Sequence, residues 1–274
     1  MILKNSNLLA RTISALVLIG IVWLLFHLGH GPLKIFVIAV TFLLQFEAKN
    51  LFFYHLNKKS QLILFSLAAL TTMLGLQFSF HLSSILMMLA IITAVFSSLR
   101  HFPEFSSAEI AHFLNQFLVY LVYTVWLPGY CYLIVDKDPS LFWFSFLLFI
   151  SLGTDTIAFF IGKKWGKTPL LPQISPKKTA EGALGGLVGA LIIGIIFYIV
   201  SPQYPILILI LGSILGSIFS QAGDLFESLL KRQANVKDSS QLIPGHGGVL
   251  DRIDGILFAG PVIYWIMLIY ESLV

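Results

Sequence analysis

Two acids, a hydroxyl and a cation lie at helical spacing in the segment Gly223–Arg232. On a helix that turns about 100° per residue, all four project from a wedge roughly 100° wide. They are Asp224, Glu227, Ser228 and Lys231. Carboxylates suit a hard cation, and cations neutralise phosphate. The alternative is a solvated helix end that is stabilised by i,i+3 and i,i+4 side-chain pairs.

A glycine-rich loop begins at Pro244, twelve residues after Arg232, surrounds His246 and leads into the last apolar segment. Glycines allow the backbone to approach a ligand closely and to point amides at an anion. We therefore expect His246, Gly247 and Gly248 to contribute to substrate binding.

Asp251 and Asp254 follow this loop at i,i+3 spacing, so they face the same way at the start of a helix. A helix N-terminus favours carboxylates even without a ligand, which is the alternative interpretation. Carboxylates that converge from two helix ends also suit Mg²⁺, an ion commonly held by one or two carboxylates and substrate phosphates. Asp224, Glu227, Asp251 and Asp254 are thus the predicted metal ligands.

Adjacent lysines mark the segment Ile174–Gly182. Ser175 followed by Pro176 predicts a helix N-cap with proline at the first helical position. Lys177 and Lys178 would then oppose the helix dipole, a conflict that a bound anion removes. The alternative is that both lysines only follow the positive-inside rule.

Asp155 lies some eight residues inside the sixth apolar segment. An ionisable group is costly there and indicates a functional site that faces a partner or a wet cavity. The alternative is a structural, hydrogen-bonded acid.

Long apolar segments must position these residues, because 57% of the 274 residues are hydrophobic and only 11% are charged. This composition predicts an all-α polytopic integral membrane protein embedded in a lipid bilayer. The net charge of +4 does not indicate nucleic-acid binding, since the cations flank apolar segments. We predict about nine transmembrane helices, over residues 12–28, 33–48, 61–79, 83–99, 112–135, 140–162, 182–200, 205–223 and 255–273.

The basic residues predict the orientation of these helices. With a cytoplasmic N-terminus, 15 of the 17 cations fall inside, and only Lys34 and Lys137 fall outside. The single cysteine, Cys131, excludes a disulfide within one chain. The first apolar segment lacks a convincing cleavage site, so we expect a retained span and a bacterial inner membrane protein.

The two halves differ in composition. Residues 1–135 are predicted to form bulky N-terminal transmembrane helices with few intramembrane polar groups. Residues 136–274 are predicted to form the catalytic transmembrane region, with its active site on the cytoplasmic side. Glycines in the seventh segment follow small-xxx-small spacing, which predicts close helix packing. They are Gly182, Gly185, Gly186 and Gly189.

Residues 228–254 closely resemble the signature of phosphatidate cytidylyltransferases (CDP-diacylglycerol synthases). The resemblance rests on Ser-Leu-Leu-Lys-Arg at 228–232, Lys237-Asp238, and Pro-Gly-His-Gly-Gly-Val-Leu-Asp-Arg-Ile-Asp at 244–254. The Ser-Pro-Lys-Lys-Thr segment and Asp155 also look like that family, so the resemblance covers roughly residues 150–260.

This resemblance implies a Mg²⁺-dependent, homodimeric membrane enzyme that joins CTP to phosphatidic acid and releases pyrophosphate. It implies that Asp224 and Asp251 bind the metal, with Asp155 and Lys231 also placed in the catalytic set. The nucleotide and phosphate site would then contain Ser228, Lys231, Arg232, Lys237, His246 and Arg252.

Three other functions stay open on sequence alone. The same site could serve an ether-lipid or polyprenyl acceptor. A transporter would explain Asp155, but it would leave unexplained a glycine-rich loop outside the bilayer. An alcohol phosphotransferase should show four aspartates on consecutive helix turns, which the sequence lacks.

Overall fold

The computed structural model describes the backbone of residues 2–78, 80–100 and 106–273. Side chains within residues 1–11, 76–84 and 97–105 lie outside that description, as does residue 274. Three cations used above for the predicted orientation, Lys4, Arg11 and Arg100, are therefore outside the described side chains.

The first half of the described chain is helical throughout, apart from short connections. A five-residue π-helical segment joins two of its helices into one continuous span. The elements are α1 (Ile2–Leu28), α2 (His30–Phe52), α3 (Lys58–Phe78), α4 (Phe80–Arg100), α5 (Ser107–Leu121), the π-helical segment (Val122–Trp126) and α6 (Leu127–Lys137).

The second half adds four long helices and a small hairpin. The two strands pair antiparallel, with Pro169 opposite Thr179 and Leu171 opposite Ser175. The elements are α7 (Phe142–Trp165), β1 (Pro169–Leu171), β2 (Ser175–Thr179), α8 (Ala180–Val200), α9 (Ile206–Gln233) and α10 (Leu250–Leu273).

Apart from the hairpin, the part of the chain that the structure describes is all-α, which confirms the predicted fold class. Six of the described helices are long and apolar enough to cross a membrane, so the chain is a multi-pass membrane protein. They are His30–Phe52, Ser107–Lys137, Phe142–Trp165, Ala180–Val200, Ile206–Gln233 and Leu250–Leu273. Each of the nine segments predicted as spans falls on a helix or on this continuous run, except that residues 140, 141 and 205 precede their helices and residue 79 is not described.

The segment Ser175–Thr179 is a strand, so the predicted helix start at Ser175 is wrong. The helix α8 begins at Ala180, where the Thr179 hydroxyl accepts a hydrogen bond from the Gly182 amide at 3.1 Å. Thr179 therefore takes the capping role predicted for Ser175. Pro176 is tolerated because a strand of a two-stranded hairpin has an unpaired edge.

Glycines allow α8 to pack directly on α7, as their spacing predicts. A Cβ atom on Gly186 would lie 3.0 Å from the carbonyl oxygen of Thr154, and one on Gly189 would lie 2.6 Å from that of Gly153. The contact at Gly189 is too short for a side chain unless the helices move apart, and the contact at Gly186 is also tight. The two helices are thereby fixed beside the hairpin that connects them.

Buried side chains form two clusters at opposite ends of the helices. One contains the beginnings of α2, α7 and α9. The other joins the end of α2 to the π-helical segment, the end of α9 and the beginning of α10, through residues such as Phe52, Tyr123, Leu230 and Leu250. The second cluster lies next to the predicted functional residues, since it contains Leu230 and Leu250, the neighbours of Lys231 and Asp251.

Candidate active site

The helices α9 and α10 approach most closely where the acids lie. A Cβ atom on Gly223 would collide with the carbonyl oxygen of Asp254, and one on Gly255 would collide with the Ser220 hydroxyl. Two glycines thus let the backbones meet. Asp224, next to Gly223, is consequently brought beside Asp254.

Three carboxylates converge at this crossing. One oxygen from each of Asp224, Glu227 and Asp254 lies within 4.8 Å of the others. Glu227 and Asp254 are buried, and Asp224 is half-buried. We call these three side chains the acidic cluster. It joins three of the four acids that the sequence predicts as metal ligands.

The fourth predicted ligand, Asp251, lies one turn away and has other partners. Its Oδ1 accepts a hydrogen bond from Lys231 at 2.7 Å. Its Oδ2 accepts from the Ser239 amide at 2.9 Å, the Ser239 hydroxyl at 2.8 Å and the Gly248 amide at 2.8 Å. Asp251 therefore fastens the glycine-rich loop to the beginning of α10.

Lysines join the acids from two sides. Lys231 forms ion pairs with both Glu227 and Asp251, and Lys178 of β2 pairs with Asp224 at 2.5 Å. In the part of the chain that the structure describes, the acidic cluster and Asp251 thus share two lysines. Four carboxylates against two ammonium groups leave an excess of negative charge, which favours a divalent cation.

The hairpin is anchored so that Lys178 reaches the cluster. Glu181 accepts hydrogen bonds from the backbone amides of Lys167 at 3.0 Å and Thr168 at 3.2 Å. Arg232, a predicted phosphate ligand, donates to the carbonyl oxygen of Ile174 at 3.2 Å. Arg232 therefore braces the hairpin turn with one donor of its exposed side chain.

A carboxylate from the first half of the chain holds the loop that precedes α10. Oε1 of Glu47, in α2, accepts hydrogen bonds from the Ser240 hydroxyl at 2.6 Å and the Val249 amide at 3.0 Å. Its Oε2 accepts from the Leu250 amide at 2.8 Å. Glu47 is only 2% exposed, so water cannot stabilise its charge. These donors and the N-terminus of α10 stabilise it instead.

Glycines in the loop make room for these carboxylates. A Cβ atom on Gly248 would collide with the Ser239 hydroxyl and lie 2.5 Å from Oε2 of Glu47. Gly247 has a φ of +81°, a conformation that favours glycine, and a Cβ atom there would lie 2.6 Å from Oδ2 of Asp251. Both glycines permit close approach within the protein, in addition to any ligand they contact.

His246 and Arg252 face each other across the loop. The Arg252 guanidinium donates to the carbonyl oxygen of His246 at 2.9 and 3.2 Å. The Nδ1 atom of His246 lies 2.7 Å from the Ser14 hydroxyl, which also donates to the carbonyl oxygen of Pro244 at 3.0 Å. Helix α1 therefore contacts the loop directly.

The remaining predicted residues line the periphery of this region. Asp155 of α7 is exposed, and electrostatic interactions link it to Asp224, Lys178 and Arg252. Ser228 is half-buried, whereas Lys177 and Lys237 are exposed. The hydroxyl pairs Ser151–Ser220 at 3.1 Å and Thr154–Ser217 at 3.0 Å hold α7 against α9 beside Asp155.

The acidic cluster fits a divalent cation. Oε1 of Glu227 is buried and has no hydrogen-bond partner among the described residues. A buried carboxylate oxygen without a donor is costly unless a cation or water satisfies it. Three converging carboxylate oxygens match the oxygen-rich coordination of Mg²⁺.

Sequence reasoning missed two contributors from the first half. Glu47 interrupts the second apolar segment, and the rule that singled out Asp155 as a costly intramembrane acid applies to it equally. Ser14 gives no comparable signal, because serine is common in membrane helices. The first half thus supplies side chains that shape the loop, beyond the membrane spans predicted for it.

The fold and the site define a polytopic membrane protein. Carboxylates, lysines and a glycine-rich loop come together at one end of its helices, and such a set suits a phosphate-containing ligand. The chain belongs to the Cytidylyltransferase family, whose family model matches residues 9–270.

Curated relatives support this assignment. The chain is 47% identical over 120 residues to a phosphatidate cytidylyltransferase of Bacillus subtilis, an alignment that covers 43% of this chain and 45% of the relative. It is 42% identical over 137 residues to one of Aquifex aeolicus, covering 50% of this chain and 51% of the relative. A chloroplastic phosphatidate cytidylyltransferase of Arabidopsis thaliana is 50% identical over 117 residues, covering 41% and 29%. The matched part thus spans about half the length of the bacterial relatives.

Proposed function

We propose that the protein is a phosphatidate cytidylyltransferase, a nucleotidyltransferase of phospholipid biosynthesis. It transfers CMP from CTP to phosphatidic acid and forms CDP-diacylglycerol and pyrophosphate. The observation that carries this proposal is the convergence of Asp224, Glu227 and Asp254 beside Lys178 and Lys231. Family membership and the names of the curated relatives point to the same chemistry.

The reaction has a simple balance. A phosphate oxygen of phosphatidic acid attacks the α-phosphorus of CTP, and a new P–O–P bond forms. The bond from the α-phosphorus to the oxygen that bridges to the β-phosphorus breaks, and pyrophosphate leaves with that electron pair. Because both reactants are anions, charge neutralisation and alignment contribute most to catalysis, and no covalent protein nucleophile is needed.

Basic side chains would neutralise the two anions. Lys178 and Lys231 already lie against carboxylates, and they can exchange part of that pairing for phosphate oxygens. Lys177, Lys237 and Arg252 are exposed around the site and can meet the phosphates from water. Ser228, Arg232, His246, Gly247 and Gly248 complete the proposed substrate site, which Asp155 borders.

Asp224, Glu227 and Asp254 would hold Mg²⁺, with Asp251 one turn away. When bound, the ion withdraws charge from phosphate oxygens and stabilises the charge that develops on pyrophosphate. The protein's part is to keep the ligands in place. Lys231 does so by bridging Glu227 and Asp251, and Gly223 does so by letting α9 meet α10.

The membrane arrangement follows from the substrates. Phosphatidic acid presents its head group at the membrane surface while its tails stay in lipid, and CTP arrives from the cytosol. We therefore propose a bacterial inner membrane protein of about nine spans, with a cytoplasmic N-terminus and active site. Lys34 and Asp136, paired at 2.6 Å, would lie at the opposite surface. Residues 1–135 would form the N-terminal transmembrane helices, and residues 136–274 would form the catalytic region. The enzyme would be a homodimer.

Pyrophosphate release by the detergent-purified protein tests the proposal. We expect release only when CTP, Mg²⁺ and phosphatidic acid are all present, and none with ATP or without lipid. Release with a polyprenyl or ether-lipid phosphate in place of phosphatidic acid would redirect the acceptor. A folded sample that releases nothing with any lipid phosphate would contradict the proposal and favour a transporter.

A further inference from the structure

A π-helical segment interrupts the helix that passes behind the acidic cluster. Within Val122–Trp126 each backbone hydrogen bond spans five residues instead of four, as in the bond from the amide of Leu127 to the carbonyl oxygen of Val122. A π-helical turn inserts one residue and offsets the helix faces on its two sides, an arrangement often found at functional sites. The second residue of this segment is Tyr123.

Tyr123 is buried in an aromatic setting next to the cluster. Its side chain is 1% exposed. Its ring packs against Phe226 with centroids 5.0 Å apart and against Phe258 with centroids 6.1 Å apart. Phe226 immediately precedes Glu227, and Phe258 lies one turn after Asp254, so Tyr123 inserts between the two helices that carry the acids.

The Tyr123 hydroxyl is buried without a hydrogen-bond partner among the described residues. Oε1 of Glu227 is in the same condition. The Tyr123 hydroxyl can donate a hydrogen bond and Oε1 of Glu227 can accept one, and both atoms are buried. Each would be costly alone, because buried polar groups are satisfied almost everywhere in folded proteins.

We infer that Tyr123 is a positioning residue of the acidic cluster, whose hydroxyl donates a hydrogen bond to Glu227 when the cluster holds its cation. The inference rests on the proposed function only in that the cluster binds a divalent ion. In that state a bridging water molecule, or a rotation of the Glu227 carboxylate, would join the Tyr123 hydroxyl to Oε1 of Glu227. The bond fixes the orientation of a ligand, as outer donors do in other metal sites.

Tyr123→Phe removes only the hydroxyl and tests the inference. The matched control is Tyr120→Phe, since Tyr120 is also buried but its hydroxyl donates to the carbonyl oxygen of Gln45 at 3.2 Å. Mg²⁺ affinity is measured on the purified protein, without CTP or lipid, from the rise in melting temperature during a Mg²⁺ titration. CMP transfer to lipid is measured separately on the same samples.

We expect Tyr123→Phe to keep the melting temperature of the Mg²⁺-free protein and to weaken Mg²⁺ affinity about tenfold or more. Tyr120→Phe should lower the melting temperature and leave Mg²⁺ affinity unchanged. Mg²⁺ affinity within about twofold of wild type in Tyr123→Phe would overturn the inference. So would a wild-type protein whose melting temperature ignores Mg²⁺. Because the titration omits both substrates, a wrong lipid or nucleotide assignment would leave its result unaffected.

Discussion

Oε2 of Glu47 accepts a hydrogen bond from the backbone amide of Leu250 at 2.8 Å, which ties α2 to the first residue of α10 across 203 positions of the chain. The bond places a buried carboxylate at a helix N-terminus, where the helix dipole stabilises negative charge. It also means that the glycine-rich loop is held between α2 and its own helix. The first half of the protein therefore takes part in building the site.

Glu47→Ala should destabilise the protein and weaken CTP binding. Each buried donor left without an acceptor costs about 1–3 kcal/mol, so we expect a loss of at least about 2 kcal/mol. If loop placement accounts for about 1.4 kcal/mol of binding, KM for CTP rises roughly tenfold. Thermal unfolding and steady-state kinetics measure both effects. The control is Glu109→Ala, because Glu109 is exposed and only caps α5. Equal effects of the two variants would refute the role given to Glu47.

Asp224→Asn should abolish turnover while the protein still inserts and folds. The substitution removes a charge from the acidic cluster and unpairs Lys178, so we expect kcat to fall by about 100-fold or more. Pyrophosphate release measures the rate. Asp136→Asn is the control, since Asp136 is exposed and pairs with Lys34 at the opposite end of the helices. Wild-type activity in Asp224→Asn would remove Asp224 from the site.

Lys178→Gln should harm the reaction more than Lys177→Gln. Lys178 forms an ion pair with Asp224, whereas Lys177, the preceding residue of the same strand, is exposed. A charge-assisted hydrogen bond from Lys178 to a phosphate oxygen of the substrate would contribute about 1.5–3 kcal/mol, which corresponds to roughly 10–100-fold in kcat/KM. The comparison of kcat/KM for CTP in the two variants checks this. If Lys177→Gln is the more damaging variant, the hairpin does not place Lys178 as described.

Gly248→Ala should disrupt the loop, because the added methyl group meets Ser239 and Glu47. Overpacking of this kind costs about 1–3 kcal/mol. We expect a lower melting temperature together with weaker CTP binding. Gly31→Ala is the control, since a Cβ atom there meets nothing within 4 Å and the change should be neutral or stabilising. A Gly248→Ala protein with normal stability would show that the loop is not confined.

Helix positions and the acidic cluster could be predicted from sequence because the first follow from long apolar segments and the second from helical spacing. Asp224 and Glu227 share a helix face by spacing alone, and Asp254 begins the next apolar segment. The strand at Ser175–Thr179 could not be predicted in this way. Ser-Pro is a common helix start, and only pairing with Pro169–Leu171 and capping by Thr179 give the segment a different structure.

Contacts between residues far apart in sequence could not be predicted either, because they depend on tertiary packing. The spacing of Asp251 suits a metal ligand, but Lys231, Ser239 and Gly248 occupy both of its oxygens once the loop folds. Tyr123 is one aromatic residue in an apolar run, and its ring contacts with Phe226 and Phe258 appear only once the helices pack. Such contacts depend on how distant helices pack, which the hydrophobic pattern does not specify.

Transfer of isotopic label from CTP to lipid tests the central claim most directly. Purified protein is incubated with phosphatidic acid, Mg²⁺ and CTP that carries ³²P at either the α- or the γ-position. The account predicts that α-label enters the chloroform-soluble lipid as CDP-diacylglycerol, and that γ-label appears only in pyrophosphate. Transfer of γ-label to lipid, or entry of α-label without phosphatidic acid, would contradict the account.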